Sequence, residues 1–113
     1  MTSGQGAFLV LPSARQDLRE IAAFLGQRNS ANAAQFLKKA HGTMVQLADA
    51  PFLGSSRPQA DSRLHSIRRW PVKDFPQYGI FYRPFASGNG IEVFAVLHER
   101  QNIGEQLEAA LEP

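Results

Sequence analysis

Cysteine is absent from the chain, which excludes disulfides and thiolate metal sites. Histidine is scarce, and His41, His65 and His98 stand far apart with no ligand-like spacing, so neither a metal nor another cofactor is expected. No apolar run approaches the ~18 residues that cross a bilayer, and no basic stretch followed by an apolar one opens the chain. The expectation is a cytoplasmic protein without membrane contact. Solenoid repeats and low-complexity segments are lacking as well. Acidic residues are thin in one region: between positions 57 and 83 only Asp61 and Asp74 oppose Arg57, Arg63, Arg68, Arg69, Lys73 and Arg83, half of the twelve basic residues. The formal charge of +2 understates that clustering. A polyanion or an acidic protein segment is the natural partner.

What is present suffices for one domain over residues 1–113, with a small polar start, 1–6, expected to fray. Residues 7–11 (AFLVL) form an apolar run of strand length before Pro12. Ser13 and Gln16 fit a capping box, and Leu18, Ile21, Ala22 and Leu25 follow at helical spacing. Gly26 and Asn29 favour a reversal, after which Ser30 is placed to cap a second helix carrying Ala33, Phe36, Leu37, Ala40, Met44, Leu47 and Ala48 on one stripe. So short a connection predicts an antiparallel helical hairpin.

Residues 51–62 are rich in Pro, Gly and Ser and read as a loop. Three runs dominated by β-branched and aromatic residues, 64–72, 78–83 and 91–97, then predict a β-meander. Strict alternation along the last run puts Ile91, Val93, Ala95 and Leu97 on one face and Glu92, Phe94, Val96 and His98 on the other. Asn102 is placed to cap a short final helix over 103–111, which needs a docking surface because isolated helices of that length are marginal. The fold class expected is α+β: a helical hairpin packed on one face of a mostly antiparallel sheet of about four strands, with a short C-terminal helix. Its expected core includes Leu18, Ile21, Leu25, Phe36, Leu37, Leu47, Ile80, Val93 and Ala95.

Several of these segments together resemble the ParE/RelE superfamily of toxins from bacterial type II toxin–antitoxin systems, on its ParE side. The resemblance rests on Ala14, Asp17, Leu18 and Ile21, on Leu47-Ala48 with Pro51 and Gly54, and on Leu64 with Ile67-Arg68. It continues in Tyr78-Gly79-Ile80-Phe81-Tyr82-Arg83 and in Val96-Leu97-His98 with Arg100. It implies a growth-arresting toxin, of the kind linked to plasmid stabilisation, held inactive by a cognate antitoxin whose C-terminal segment wraps it. ParE-like members inhibit DNA gyrase. RelE-like members cleave mRNA on the ribosome with basic residues of the sheet and often a C-terminal tyrosine or histidine.

Metal-free RNA cleavage needs a base, an acid and cations around the phosphate. His98 is the candidate acid or base, with Arg68, Arg83 and Arg100 as a phosphate clamp. His98 stands equally well as a hydrogen-bonding anchor for the C-terminal loop. Arg57, Arg68, Arg69, Lys73 and Arg83 are the candidates for binding antitoxin or target. Trp70 and Phe75 suit a core edge or base stacking, and Tyr82 reads as structural with a polar tip. The only tyrosines are Tyr78 and Tyr82, so the C-terminal tyrosine of many RelE-like nucleases is missing. A gyrase inhibitor is therefore the expectation, with a ribosome-dependent mRNA endonuclease as the alternative.

Overall fold

The computed structural model describes residues 6–56 and 66–111. The order is β1 (Ala7–Val10), α1 (Pro12–Gly26), α2 (Ser30–Asp49), β2 (Ser55–Ser56), β3 (Arg68–Val72), β4 (Phe75–Pro84), β5 (Gly90–His98) and α3 (Ile103–Leu111). One sheet runs β1-β5-β4-β3-β2, antiparallel except where β1 lies parallel to β5. The sheet thus has five strands where the sequence predicts about four. The additional one, β2, is a two-residue serine pair whose composition carries no strand signal. Residues 57–65, which hold the expected start of the meander as well as Arg57 and Arg63, lie outside the described residues, as do residues 1–5.

Both helix starts differ in detail from the expectation. Pro12 occupies the first turn of α1, where its fixed φ suits a helix and its missing N–H costs nothing. The cap residue is therefore Leu11, without a side-chain bond, and no capping box forms. Ser13 instead donates its hydroxyl to Phe94 O, 2.7 Å away, and Gln16 donates to Glu20. At α2 the cap is Asn29, not Ser30: its Oδ1 accepts from the Ala31 N–H at 2.9 Å. For α3, Asn102 Oδ1 does accept from the Glu105 N–H, at 3.3 Å.

The hairpin of α1 and α2 covers one face of the sheet, and the core between them holds Phe36, Leu47, Val72, Tyr78, Ile80, Tyr82, Ile91, Val93 and Val96, with Leu18, Ile21 and Leu25 half-buried against it. A second core fills the opposite face, where α3 lays Leu107, Ile103 and Leu111 against Ile67, Phe81, Phe94, Ala95 and Leu97. Both faces of the central strands are thus covered, as the apolar character of β5 on both sides requires.

Two expected core positions move. Leu37 is 42% exposed, because Phe36 takes the inward position on α2. Ala95 is buried beneath α3 and not with Val93. The cause is a β-bulge: Phe81 pairs Ala95 but Tyr82 pairs Val93, leaving Phe94 extra. An extra residue shifts the alternation, so everything beyond it changes face. Val96 and His98 consequently join the hairpin side, while Leu97 faces α3.

The bulge occurs where β1 has ended and α1 begins. Val10 is the last β1 residue paired with β5, opposite Val93, and beyond it two side chains of α1 bond the strand. Ser13 takes Phe94 O, and Asp17 Oδ2 accepts the Val96 N–H at 3.0 Å. Being four residues apart, they lie on one helix face and together replace the missing neighbour strand.

Burial pushes the Asp17 carboxyl up to about 6, helped by the nearby Glu20 and opposed by the Val96 N–H. The folded state therefore holds this proton more tightly than the unfolded chain does, where the ordinary value is 3.8. Its stabilising contribution is complete below that value and lost as pH rises through about 6. Asp17→Asn, which keeps the acceptor, should accordingly gain on the wild type by about 1–2 kcal/mol between pH 4.5 and 7, a figure discounted for the half-exposed site. Urea unfolding of both proteins at the two pH values checks this. A difference independent of pH would contradict it.

Candidate functional site

His98 closes β5 opposite Tyr78. Its ring meets the Tyr78 ring edge-on at 5.1 Å, and Tyr78 in turn meets Phe36 at 5.3 Å. Nδ1 accepts the Arg100 N–H at 3.0 Å, while the His98 N–H donates to Gln101 Oε1 at 2.7 Å. An accepting Nδ1 places the proton of the neutral ring on Nε2. The histidine thus fastens the turn between β5 and α3 to the aromatic edge of the core.

The arginines expected to share a phosphate with His98 lie elsewhere. Arg83 pairs Glu92, six residues before His98, which at the rise of a strand is about 20 Å away. Its guanidinium is bonded to Glu92 Oε1 at 2.8 Å and stands 5.1 Å above the Phe94 ring on the α3 face. Arg68 pairs Tyr82 on the hairpin face at the same end of the sheet. It donates to Gly54 O and lies 5.0 Å over Phe52. Only Arg100 is near His98, and it bonds the histidine through its backbone N–H. The set His98, Arg100, Arg68 and Arg83 is split between two ends of the sheet.

Arg69 lies across β4, donating to Pro76 O at 3.4 Å. Gly79 makes that possible, since a Cβ there would collide with Arg69 Nε. Lys73 occupies the β3–β4 turn on the hairpin side, and Arg57 is outside the described residues. The candidate binding cations therefore face several directions: Arg68 and Lys73 toward the hairpin, Arg69 and Arg83 toward the α3 side.

Tyr82 is fully buried and structural, as its position in the strand implied. Its hydroxyl donates to Pro51 O and accepts from the Gly54 N–H, each at 2.8 Å, and burial raises its ionisation above the ordinary tyrosine value. Trp70 and Phe75 pack half-buried at the rim of the hairpin core.

One feature is not read from the sequence. Phe8, Leu9, Val10, Leu18, Leu37 and Met44 line an open groove of about 380 Å³ between β1, α1 and α2, with Arg15 and His41 at its rim. Leu9 and Leu37 are exposed there. β1 is an edge strand of the sheet, and Arg15 Nε bonds Val10 O at 3.1 Å, which blunts one end of that edge. The signal that could have found the groove is Leu37 itself, a leucine on the hairpin stripe that Phe36 makes redundant.

No group of three or more His, Cys, Asp or Glu among the described residues could hold a metal. No helix among them is long and apolar enough to cross a membrane.

Comparison with known proteins gives this arrangement a context. The family model described as the ParE toxin of the type II toxin–antitoxin system, parDE, matches residues 8–103. No curated protein matches the chain. Among solved structures, a chain of the chromosomal ParDE toxin–antitoxin system of P. aeruginosa is similar at TM-score 0.62 and 14% identity, over 85% of this chain and 98% of that one. A chain of the RelBE2 toxin–antitoxin complex of Mycobacterium tuberculosis is similar at TM-score 0.55 and 16% identity, over 83% and 98%. At these identities the structural neighbours establish the shared α+β fold, and the family match over most of the length establishes more: the chain belongs to the ParE toxins of type II toxin–antitoxin systems, within the ParE/RelE superfamily.

Proposed function

We propose that this toxin arrests growth by binding its target, DNA gyrase, and that a cognate antitoxin neutralises it by occupying its surface. The observation that carries this reading is the division of the candidate nuclease residues. A metal-free ribonuclease needs acid, base and cations within hydrogen-bond reach of one phosphate. Here His98 is bonded to the loop after β5, and Arg83 neutralises Glu92 at the far end of the strand. The apolar groove by β1, with its exposed leucines and the cationic Arg15 at the rim, suits an amphipathic antitoxin segment carrying acidic side chains. Arg68, Arg69 and Arg83 would then meet further acids where that segment continues around the sheet.

The test measures growth arrest, gyrase supercoiling and translation-dependent mRNA cleavage with wild type and His98→Gln, each checked for folding by circular dichroism. Growth arrest and gyrase inhibition should survive His98→Gln. A folded His98→Gln protein that loses growth arrest, together with ribosome-dependent cleavage falling by roughly 10² to 10⁴, would establish the mRNA endonuclease instead. Whether α3 contributes to target binding is not tested by a chain cut at Asn102, because that would uncover the second core, where Leu107 is buried. Substitution of the exposed Glu105 and Glu108 tests α3 without that damage.

A further inference from the structure

The chain contains three lysines, Lys38, Lys39 and Lys73; every other cationic side chain of its twelve is an arginine. All three line one open cleft between α2 and the β3–β4 turn, of about 430 Å³, together with Gly42, Thr43 and Gln46. A second opening of about 510 Å³ shares Gln46 and Lys73 and continues over Trp70, Pro71, Asp74 and Pro76. The two form a trough with cations on one stretch and an aromatic wall on the other.

Its construction is specific. Thr43, the buried polar residue of α2, donates to Lys39 O at 2.7 Å and accepts the Lys73 N–H at 3.2 Å, tying the turn to the helix. Lys39 Nζ bonds Asp74 Oδ2 at 3.0 Å, and Asp74 holds the turn at φ 67°, a conformation few non-glycine residues adopt. Among the described residues no carboxylate pairs with Lys38 or Lys73. Asp74 is the acid lining the trough, so its charge is +2 with three lysines against one carboxylate.

Gly42 supplies a second, independent pointer. It sits in the middle of α2, where glycine weakens a helix relative to alanine. A Cβ at this position would meet nothing within 4 Å. Packing therefore does not explain the glycine, whereas a bare trough floor between Lys38, Lys39 and Lys73 does. A local rule broken without a structural return marks a functional surface.

We infer that this trough binds the backbone of a single-stranded nucleic acid, two or three phosphates lying along Lys38, Lys39 and Lys73 with a base against Trp70. Lysines act here as mobile point charges, and an aromatic wall beside a cationic track is the combination that holds single strands without sequence readout. An acidic peptide would use the lysines but gain little from the flat indole. The inference is independent of gyrase and of the antitoxin groove, which lies on the β1 side of α2.

Trp70 is the chain's sole tryptophan, so titration of the purified toxin with a short oligothymidylate at low salt reports binding through its fluorescence. Saturable quenching is expected, with log K falling against log salt at a slope between about −1.4 and −2.1 for two to three phosphates. Lys38→Gln with Lys73→Gln should weaken binding about tenfold and flatten the slope by about 0.7 for each lysine–phosphate pair removed. Gly42→Gln should raise the melting temperature while weakening binding, a combination that a purely structural glycine would not produce. Absence of saturable quenching, or affinity unchanged in the double lysine variant, overturns the proposal. Displacement by polyglutamate as effective as by unlabelled oligonucleotide of equal charge also overturns it, reassigning the trough to an acidic protein segment.

Discussion

Phe36→Ala is expected to lower the unfolding free energy by about 3–5 kcal/mol, the cost of emptying a fully buried aromatic site. Phe36 has no exposed surface and meets Phe75 and Tyr78 edge-on, each at 5.3 Å. Its loss removes both ring pairings and leaves a void at the centre of the hairpin core, beside the tyrosine on which His98 rests. Leu37→Ala is the matched control. That side chain is 42% exposed, so its truncation should cost about 1 kcal/mol or less. Urea denaturation of both variants measures the contrast directly. Equal losses at the two positions would mean that α2 presents a different face to the sheet.

Tyr82→Phe is expected to cost about 2–4 kcal/mol although it removes one atom. The hydroxyl serves Pro51 O and the Gly54 N–H at once, and both bonds are buried. Phenylalanine would leave a donor and an acceptor without partners, each worth roughly 1–3 kcal/mol when buried. The loss should concentrate in the segment that carries the chain from α2 to β2, where the Arg68 guanidinium also grips Gly54 O. Faster amide exchange at Gly54 than in β4 would locate it there. A cost below about 0.5 kcal/mol would show that solvent replaces the hydroxyl and that this loop is not anchored through Tyr82.

The two variants probe different kinds of information in the chain. Phe36 is readable as core because it recurs with Ala40, Met44 and Leu47 at helical spacing, and periodicity reports which side of a helix is buried. Leu37 satisfies the same stripe within its angular width, so the pattern alone does not separate the two. Ser13 and Ser30 suggest caps they do not form for a related reason: a hydroxyl near a helix start has several backbone partners within reach, and the cap residues are Leu11, just before Pro12, and Asn29. The nuclease candidates are legible as residue types and not as a site. His98, Arg68 and Arg83 sit at strand positions whose separation depends on pairing register, which residue types do not carry.

Local chemistry in the sequence by itself determined the element order apart from β2, the helical hairpin, the meander and the resemblance to ParE toxins. Spacing of apolar residues and the placement of proline, glycine and asparagine act over one or two turns of chain. Only the tertiary structure decided the facing of β5 beyond its bulge, because one extra residue at Phe94 inverts the alternation and the penalty is relieved by Ser13 and Asp17 from a helix some eighty residues away in sequence. It likewise decided that α3 covers the second core and that the three lysines meet in one trough. Those outcomes depend on packing between segments distant in sequence, and such packing leaves no periodic trace in either partner alone.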